Sequence, residues 1–302
     1  MHQPKEPDYS SPPQLPTRWW SREMTAVVTG ANKGIGFALV RRLAEMGLTV
    51  ILTARDDGRG RKALESLKQE GFHHRLHFYC LDVSNPTSIN AFVSWFTANF
   101  AALDILINNA AVSFNDIEEN TVDHAETVMK INFYGAKLLT QALLPFFRRS
   151  PSVSRILNIT SRLGSINKVR NPRIKQVLRD ENLKEEHIDG IVQLFLENVK
   201  DGTWRSQGWP EIWTEYAVSK LALNAYTWVL AKREEGRRLS VNCFCPGFTQ
   251  TAMTGGRGTH SAQDAAEVAA SLVLLPPEKL PSGKFYMGFG PFNNINCTYS
   301  KL

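Results

Sequence analysis

A short apolar run near the start, Met24-Thr25-Ala26-Val27-Val28-Thr29, constrains this chain most. It lacks the alternation of a half-exposed strand, as expected of a parallel strand buried on both faces. Gly30-Ala31-Asn32-Lys33-Gly34-Ile35-Gly36 follows directly, then a helical pattern from Phe37 to Met46 and a second apolar run from Thr49 to Thr53. Strand, glycine turn, helix and strand in that order make the β-α-β unit of a dinucleotide site. Glycines permit the tight turn and the close approach of a pyrophosphate, whose charge rests on the free N–H groups and positive end of the helix. Gly30, Asn32, Lys33, Gly34, Ile35 and Gly36 are therefore cofactor candidates, although their spacing differs from G-x-G-x-x-G.

The alternation continues along the chain. A helix over about Asp57 to Glu70 precedes a strand from Leu76 to Cys80, which ends in Leu81-Asp82-Val83. A helix from Pro86 to Phe100 and a strand from Leu103 to Ile107 follow, ending in Asn108-Asn109-Ala110-Ala111. Further on lie a long helix around Asn132, a strand from Arg155 to Ser161, a helix opening near Trp213, a strand with Cys243 and Cys245, and a last strand near 283–288. This order predicts an α/β fold, a Rossmann doubly wound parallel sheet flanked by helices. Ligands of such sheets bind outside the carboxyl ends of the strands, which brings Asp82, Val83, Asn109 and Ala110 into the cofactor cleft. The residue after the second strand reads the adenosine ribose, an acid favouring NAD and an arginine accommodating the extra phosphate of NADP. Here Arg55 stands there with Arg59 one turn later and Lys33 in the glycine turn, so NADPH is expected; Asp56 is the contrary signal.

Composition excludes several classes. With 302 residues, 43% hydrophobic and 21% charged, the chain is an ordinary enzyme-sized globular sequence. Its charge of +6 is spread along the chain, so no nucleic acid partner is expected. No apolar run reaches membrane-spanning length. His73, His74 and His77 lack a neighbouring carboxylate or thiol, so no metal site is expected. Cys80, Cys243, Cys245 and Cys297 show neither zinc nor redox spacing, which fits a reduced cytoplasmic setting. Residues 1–20 carry five prolines without a signal-like apolar stretch and read as a flexible tail, Arg18-Trp19-Trp20 pinning it to a single catalytic domain over 21–302.

Tyr216 and Lys220 lie four apart in a helical run, one above the other on one face. An ammonium beside a phenol is expected to lower the phenol's pKa and make an acid/base pair. Asn132 is a polar residue within an apolar helix and must find partners.

Together these elements resemble the classical short-chain dehydrogenase/reductases. The family's T-G-x-x-x-G-x-G turn corresponds to Thr29–Gly36, its N-N-A-G-like element to Asn108–Ala111, its active-site asparagine to Asn132, its strand-end serine to Ser161 and its Y-x-x-x-K to Tyr216–Lys220. All occur in family order over about residues 24 to 290. The resemblance implies a reversible hydride transfer between NADPH and a carbonyl. Tyr216 would be the proton donor, Ser161 would hold the carbonyl oxygen, Lys220 would tune the tyrosine and bond the nicotinamide ribose, and Asn132 would position a water. It also adds Pro246, Gly247 and Thr251 of Cys245-Pro246-Gly247-Phe248-Thr249-Gln250-Thr251 to the cofactor set, Thr251 for the nicotinamide amide. Gly255 to Thr259 would follow as a mobile substrate loop.

Two departures stand out. Ala111 replaces the family's usual glycine, adding only a methyl. Most members also place the serine and tyrosine far closer together; here a helical insertion over about 165–213, with a helix from Leu183 to Lys200, separates them. The insertion resembles that of the carbonyl reductase branch, and Lys200-Asp201-Gly202-Thr203-Trp204 is similar to plant members related to neomenthol dehydrogenase and salutaridine reductase. In that branch it covers the surface used for pairing, which implies a monomer. Its apolar residues Ile191, Leu194, Phe195, Trp204, Trp209 and Trp213 suit either an apolar carbonyl substrate or packing. An enone reductase and a non-catalytic NADPH-binding protein are the alternatives; an intact Asn132, Ser161, Tyr216 and Lys220 favours carbonyl chemistry.

Overall fold

A computed structural model describes residues 19–114, 121–149, 153–288 and 296–298. Each buried apolar run becomes a parallel strand: β1 (Thr25–Val28), β2 (Thr49–Ala54), β3 (Leu76–Cys80), β4 (Ile105–Asn108), β5 (Ser154–Ile159), β6 (Leu239–Cys245) and β7 (Phe285–Met287). Their order is β3-β2-β1-β4-β5-β6-β7, so the chain reverses its direction of travel between β1 and β4. A short β8 (Asn296–Thr298) adds antiparallel to β7. The rest of the C-terminal tail, like residues 1–18, lies outside the described residues.

Helices cover both faces. On one, α1 (Gly34–Glu45), α2 (Asp57–Gln69) and α9 (Ala262–Val273) pack on a core reached by Ala26, Val28, Val50 and Leu52. On the other, α3 (Pro86–Asn99), α4 (Val122–Met129), α5 (Ala136–Leu143) and α8 (Thr214–Arg233) pack on a core reached by Val27, Ile51 and Leu106. Successive strand residues point to opposite faces, so both must be apolar, which accounts for the unbroken runs in the sequence.

The insertion folds as two helices, α6 (Pro172–Arg179) and α7 (Glu185–Lys200). α7 buries Ile188, Ile191, Val192, Phe195 and Val199, the spacing of one helix face. Lys137 of α5 pairs with Asp189 at 2.7 Å, and Arg233 of α8 with Glu185 at 2.5 Å, fixing α7 across both helices. α6 was not anticipated, since its basic residues read as solvated surface. It buries only Ile174 and Leu178 and is started by the Asn171 side chain, which accepts from Arg173 N and Ile174 N.

At the opposite end of the sheet, Trp19 and Trp20 tether the start of the body, donating to Leu274 O at 2.8 Å and Met46 O at 3.0 Å. The guanidinium of buried Arg155 lies 3.6 Å from the Trp19 ring centroid. Trp19→Ala would remove this cation–π contact and strand a carbonyl, and is expected to lower the unfolding free energy by about 2 kcal/mol. Urea denaturation measures this; an unchanged midpoint would contradict the tether.

Candidate active site

The crevice between β1 and β4 is closed by its own side chains. Thr29 Oγ1 accepts from Asn109 N at 2.9 Å and Ala110 N at 3.0 Å, and Asn109 Nδ2 donates back to Thr29 O and Gly30 O. Gly30 has φ +61°, and a Cβ there would stand 2.8 Å from Ala110 Cα; one on Gly36 would stand 2.5 Å from Asn109 Nδ2. The glycine turn is thus pressed onto the end of β4, leaving a backbone-lined cradle.

The helix end facing that cradle suits an anion. Lys33 occupies the N-cap of α1 without a side-chain cap hydrogen bond, and the first turn holds no acid. By contrast, α2 and α3 are capped by Asp56 and Asn85. Free N–H groups at a glycine-lined helix start fit a pyrophosphate. The loop after β6, with Pro246 and Gly247, reaches the same turn, since a Cβ on Gly34 would lie 3.5 Å from the Thr251 methyl.

At the adenosine end, Asp56 Oδ1 accepts from Arg59 N at 2.8 Å and Oδ2 lies 3.4 Å from Arg59 Nε. The acid that argued for NAD is thereby engaged in starting α2. Arg55 is exposed and forms no ion pair among the described residues. Asp82 Oδ1 accepts from Ser84 N and Ser84 Oγ, so at least part of its capacity holds the turn after β3. Val83 packs against Gly135, whose Cβ would lie 2.8 Å from Val83 Cγ2. Asn108, the other amide at the end of β4, points into the core, donating to Asn158 Oδ1 and Thr140 Oγ1.

Across the crevice, α8 carries Tyr216, Lys220 and Asn224 at a spacing of four. Lys220 is buried and its Nζ donates to Ile159 O, at the end of β5, at 2.9 Å. Thr160 Oγ1 donates to Asn224 Oδ1 at 2.6 Å, and Asn224 Nδ2 donates to Gly164 O at 3.0 Å. Gly164 lies flat on the helix: a Cβ there would stand 2.4 Å from Lys220 C and 2.5 Å from Leu221 N. Between Thr160 and Gly164 sits Ser161, whose Oγ accepts from Leu163 N at 3.1 Å. Buried Cys245 joins the group, accepting from Arg162 N at 3.2 Å.

The electrostatics differ from expectation. Burial pushes the Lys220 amine down to about 8 and pushes the Tyr216 phenol above its ordinary value. The ammonium does not lower the phenol's pKa here, because its Nζ is turned onto Ile159 O and lies 5.4 Å from the ring centroid. Desolvation of the phenolate outweighs that attraction.

Asn132 lies in a π-helical segment, Lys130–Gly135, between α4 and α5. Its Oδ1 accepts from Val112 N at 2.8 Å, while Nδ2 donates to Val112 O at 2.9 Å and Ser219 Oγ at 3.1 Å. Both amide hydrogens are used, so the side chain ties the loop after β4 to the catalytic-type helix; the water-positioning role expected of it would fall to its remaining lone pair or to the widened backbone.

The insertion divides by function of place. Phe195 and Trp209 are buried, their rings 5.2 Å apart, and Trp209 donates to Asn198 Oδ1. Leu194 faces outward, whereas Trp213 meets Tyr216 edge to face. The loop at 255–259 is tied at its base, where Gln250 N donates to His260 O and Thr259 N to Phe248 O, both at 2.8 Å. Sequence reasoning missed Gly164, Ser219 and Asn224. Asn224 had a signal, continuing the spacing of four from Tyr216 and Lys220; the other two had none, since their roles arise from contacts distant in sequence.

Comparison with known proteins agrees with this geometry. A family model described as short chain dehydrogenase matches residues 24–172. The chain is 39% identical over 283 residues to (+)-neomenthol dehydrogenase of Arabidopsis thaliana, covering 86% of this chain and 95% of that protein. It is 36% identical over 275 residues to carbonyl reductase (NADPH) 1 of Mus musculus, covering 88% and 96%. The solved structure of salutaridine reductase from Papaver somniferum superposes with a TM-score of 0.80 at 34% identity, covering 87% of this chain and 99% of that one.

The contact between Gly164 and α8 leaves no room for a methyl. Gly164→Ala is expected to displace the helix backbone at Lys220, lowering kcat/KM by about tenfold or more and stability by roughly 1–3 kcal/mol. Steady-state kinetics and thermal unfolding measure both; a fully active, equally stable variant would contradict the close packing.

Proposed function

The chain belongs to the short-chain dehydrogenases, and from that premise we propose that it reduces a ketone or aldehyde to an alcohol, using NADPH. The supporting observation is a buried Lys220 tied to the end of β5 with Tyr216 one turn above it on the same helix. A phenol whose pKa is raised stays protonated at neutral pH, the form from which a proton donor starts, and is a weaker acid than one tuned towards neutrality. Carbonyl reduction consumes that proton, whereas alcohol oxidation requires the phenolate; the raised pKa therefore favours reduction near neutrality and oxidation at higher pH.

Residues of the glycine turn would hold the pyrophosphate on the start of α1, with Asn109, Ala110 and Asp82, Val83 flanking the adenosine half. Arg55 would meet the 2′-phosphate, and Lys33 and Arg59 would add positive charge. A bound nicotinamide supplies the hydride that reaches the carbonyl carbon. As negative charge grows on the carbonyl oxygen, Ser161 Oγ would donate to it and Tyr216 would deliver the proton. Lys220, with a pKa of about 8, remains mostly protonated at neutral pH and can bond the nicotinamide ribose as well as Ile159 O. Asn132 would hold the surrounding loop in register.

Helix α7 covers α8 and α4, so the protein is read as a monomer with a small-molecule, apolar carbonyl as its partner. A reduced cytoplasmic setting accords with free Cys80, Cys243 and Cys245; among the described residues no helix is long and apolar enough to cross a membrane.

Tyr216→Phe is expected to abolish NADPH oxidation while NADPH fluorescence still reports binding; full turnover would remove Tyr216 as the acid. Arg55→Asp should raise KM for NADPH about ten- to a hundredfold, with little effect on NADH. An unchanged ratio of the two coenzymes would show that Arg55 does not meet the phosphate.

A further inference from the structure

Trp213 is out of place by every rule of local structure. Its backbone is left-handed, at φ 50° and ψ 54°; among the described residues only Arg238 shares a positive φ without being glycine. Glycine or asparagine would adopt that conformation without strain. Trp213 also holds the N-cap of α8 and makes no side-chain cap hydrogen bond, where serine, threonine, aspartate or asparagine would make one. Glu215, the acid of the first turn, is buried.

The strain is imposed from both sides. Upstream, Gly208 O accepts from Arg170 N at 2.7 Å, and Trp209 is buried with its Nε1 on Asn198. Downstream, Thr214 Oγ1 donates to Pro210 O at 2.8 Å, and Trp213 O accepts from Ala217 N at 2.7 Å to open the helix. A linker so anchored delivers the indole to one place. There it meets the Tyr216 ring edge to face, with centroids 6.0 Å apart and an interplanar angle of 81°. Unlike Trp209 it is not buried, and it keeps surface open beside the phenol. Ile212, next to it, is 63% exposed, and Phe248, in the loop that brings Thr251 to the glycine turn, is 42% exposed.

A strained backbone held rigid at a reactive side chain, by anchors that do not need the indole, marks a residue retained for what it touches. We infer that Trp213 is the specificity-determining wall of the substrate site, against which a rigid, ring-bearing apolar ketone lies while Tyr216 reaches its oxygen. This deepens the carbonyl reductase function and rests on it. A flat indole rewards a rigid apolar ring with area burial at little entropic cost, and rewards a short flexible aldehyde far less.

The test compares the full-length wild-type chain with Trp213→Gly and Trp213→Phe on 4-tert-butylcyclohexanone and on butanal, with saturating NADPH. Glycine takes the left-handed backbone freely, so the variant removes the ring without adding strain. Trp213→Gly is expected to lower the ratio of kcat/KM for the ketone over the aldehyde about tenfold, chiefly through KM for the ketone, and Trp213→Phe to restore most of it. Equal losses on both substrates with a lower Tm would show a purely structural residue and overturn the inference, as would no change in the ratio. If the wild-type chain oxidises NADPH with neither substrate, carbonyl reduction itself fails and the inference falls with it.

Discussion

A single buried amine sets the geometry of the site. Removing the Lys220 ammonium from water is unfavourable unless it finds a partner, and the partner provided is the carbonyl of Ile159 at the carboxyl end of β5. That bond fixes the rotation and height of α8 against the sheet. Thr160, Asn224 and Gly164 repeat the constraint one turn further along, and Gly164 lets the chain lie directly on the helix backbone. Tyr216 is then placed by helix geometry alone, one turn towards the N-terminus.

The same burial governs the chemistry. Enclosure favours the neutral forms of both groups, lifting the phenol and lowering the amine. A protonated phenol beside an amine whose pKa lies at about 8, still mostly protonated at neutral pH, makes a proton donor with a cationic neighbour, rather than a preformed phenolate. The insertion begins just beyond Gly164, which lies against α8 at Lys220, and ends at Trp213, the N-cap of α8, so both of its attachment points meet that helix. Packing of α7 on α4 and α8 is thereby coupled to the placement of Trp213 beside Tyr216.

Much of this was legible in the sequence because local and global preferences agree. The glycine turn between two apolar runs, the strand ends rich in small and polar residues, and the spacing of Tyr216 and Lys220 each specify their structure locally. What was not legible depended on contacts distant in sequence. α6 shows only Ile174 and Leu178 to the core among basic residues, too faint a stripe to separate from solvated surface. Asn108 and Asn109 are adjacent and identical, yet β pleating sends one into the core to meet Asn158 and the other into the crevice. Asp56 was a contrary signal to NADPH in the sequence, and its side chain is engaged at the start of α2. The direction of the tyrosine shift also reversed, since motif spacing reveals the neighbouring charge but not the depth of burial that outweighs it.

Lys220 is held in a low-dielectric seam rather than at a solvated surface. Nitrogen-15 NMR of labelled lysine side chains, with the Lys220 signal assigned by its loss in Lys220→Met, measures this directly across pH 6 to 12. Titration near 8 is the expected result; a signal titrating near the ordinary lysine value, about 10.4, would contradict the account.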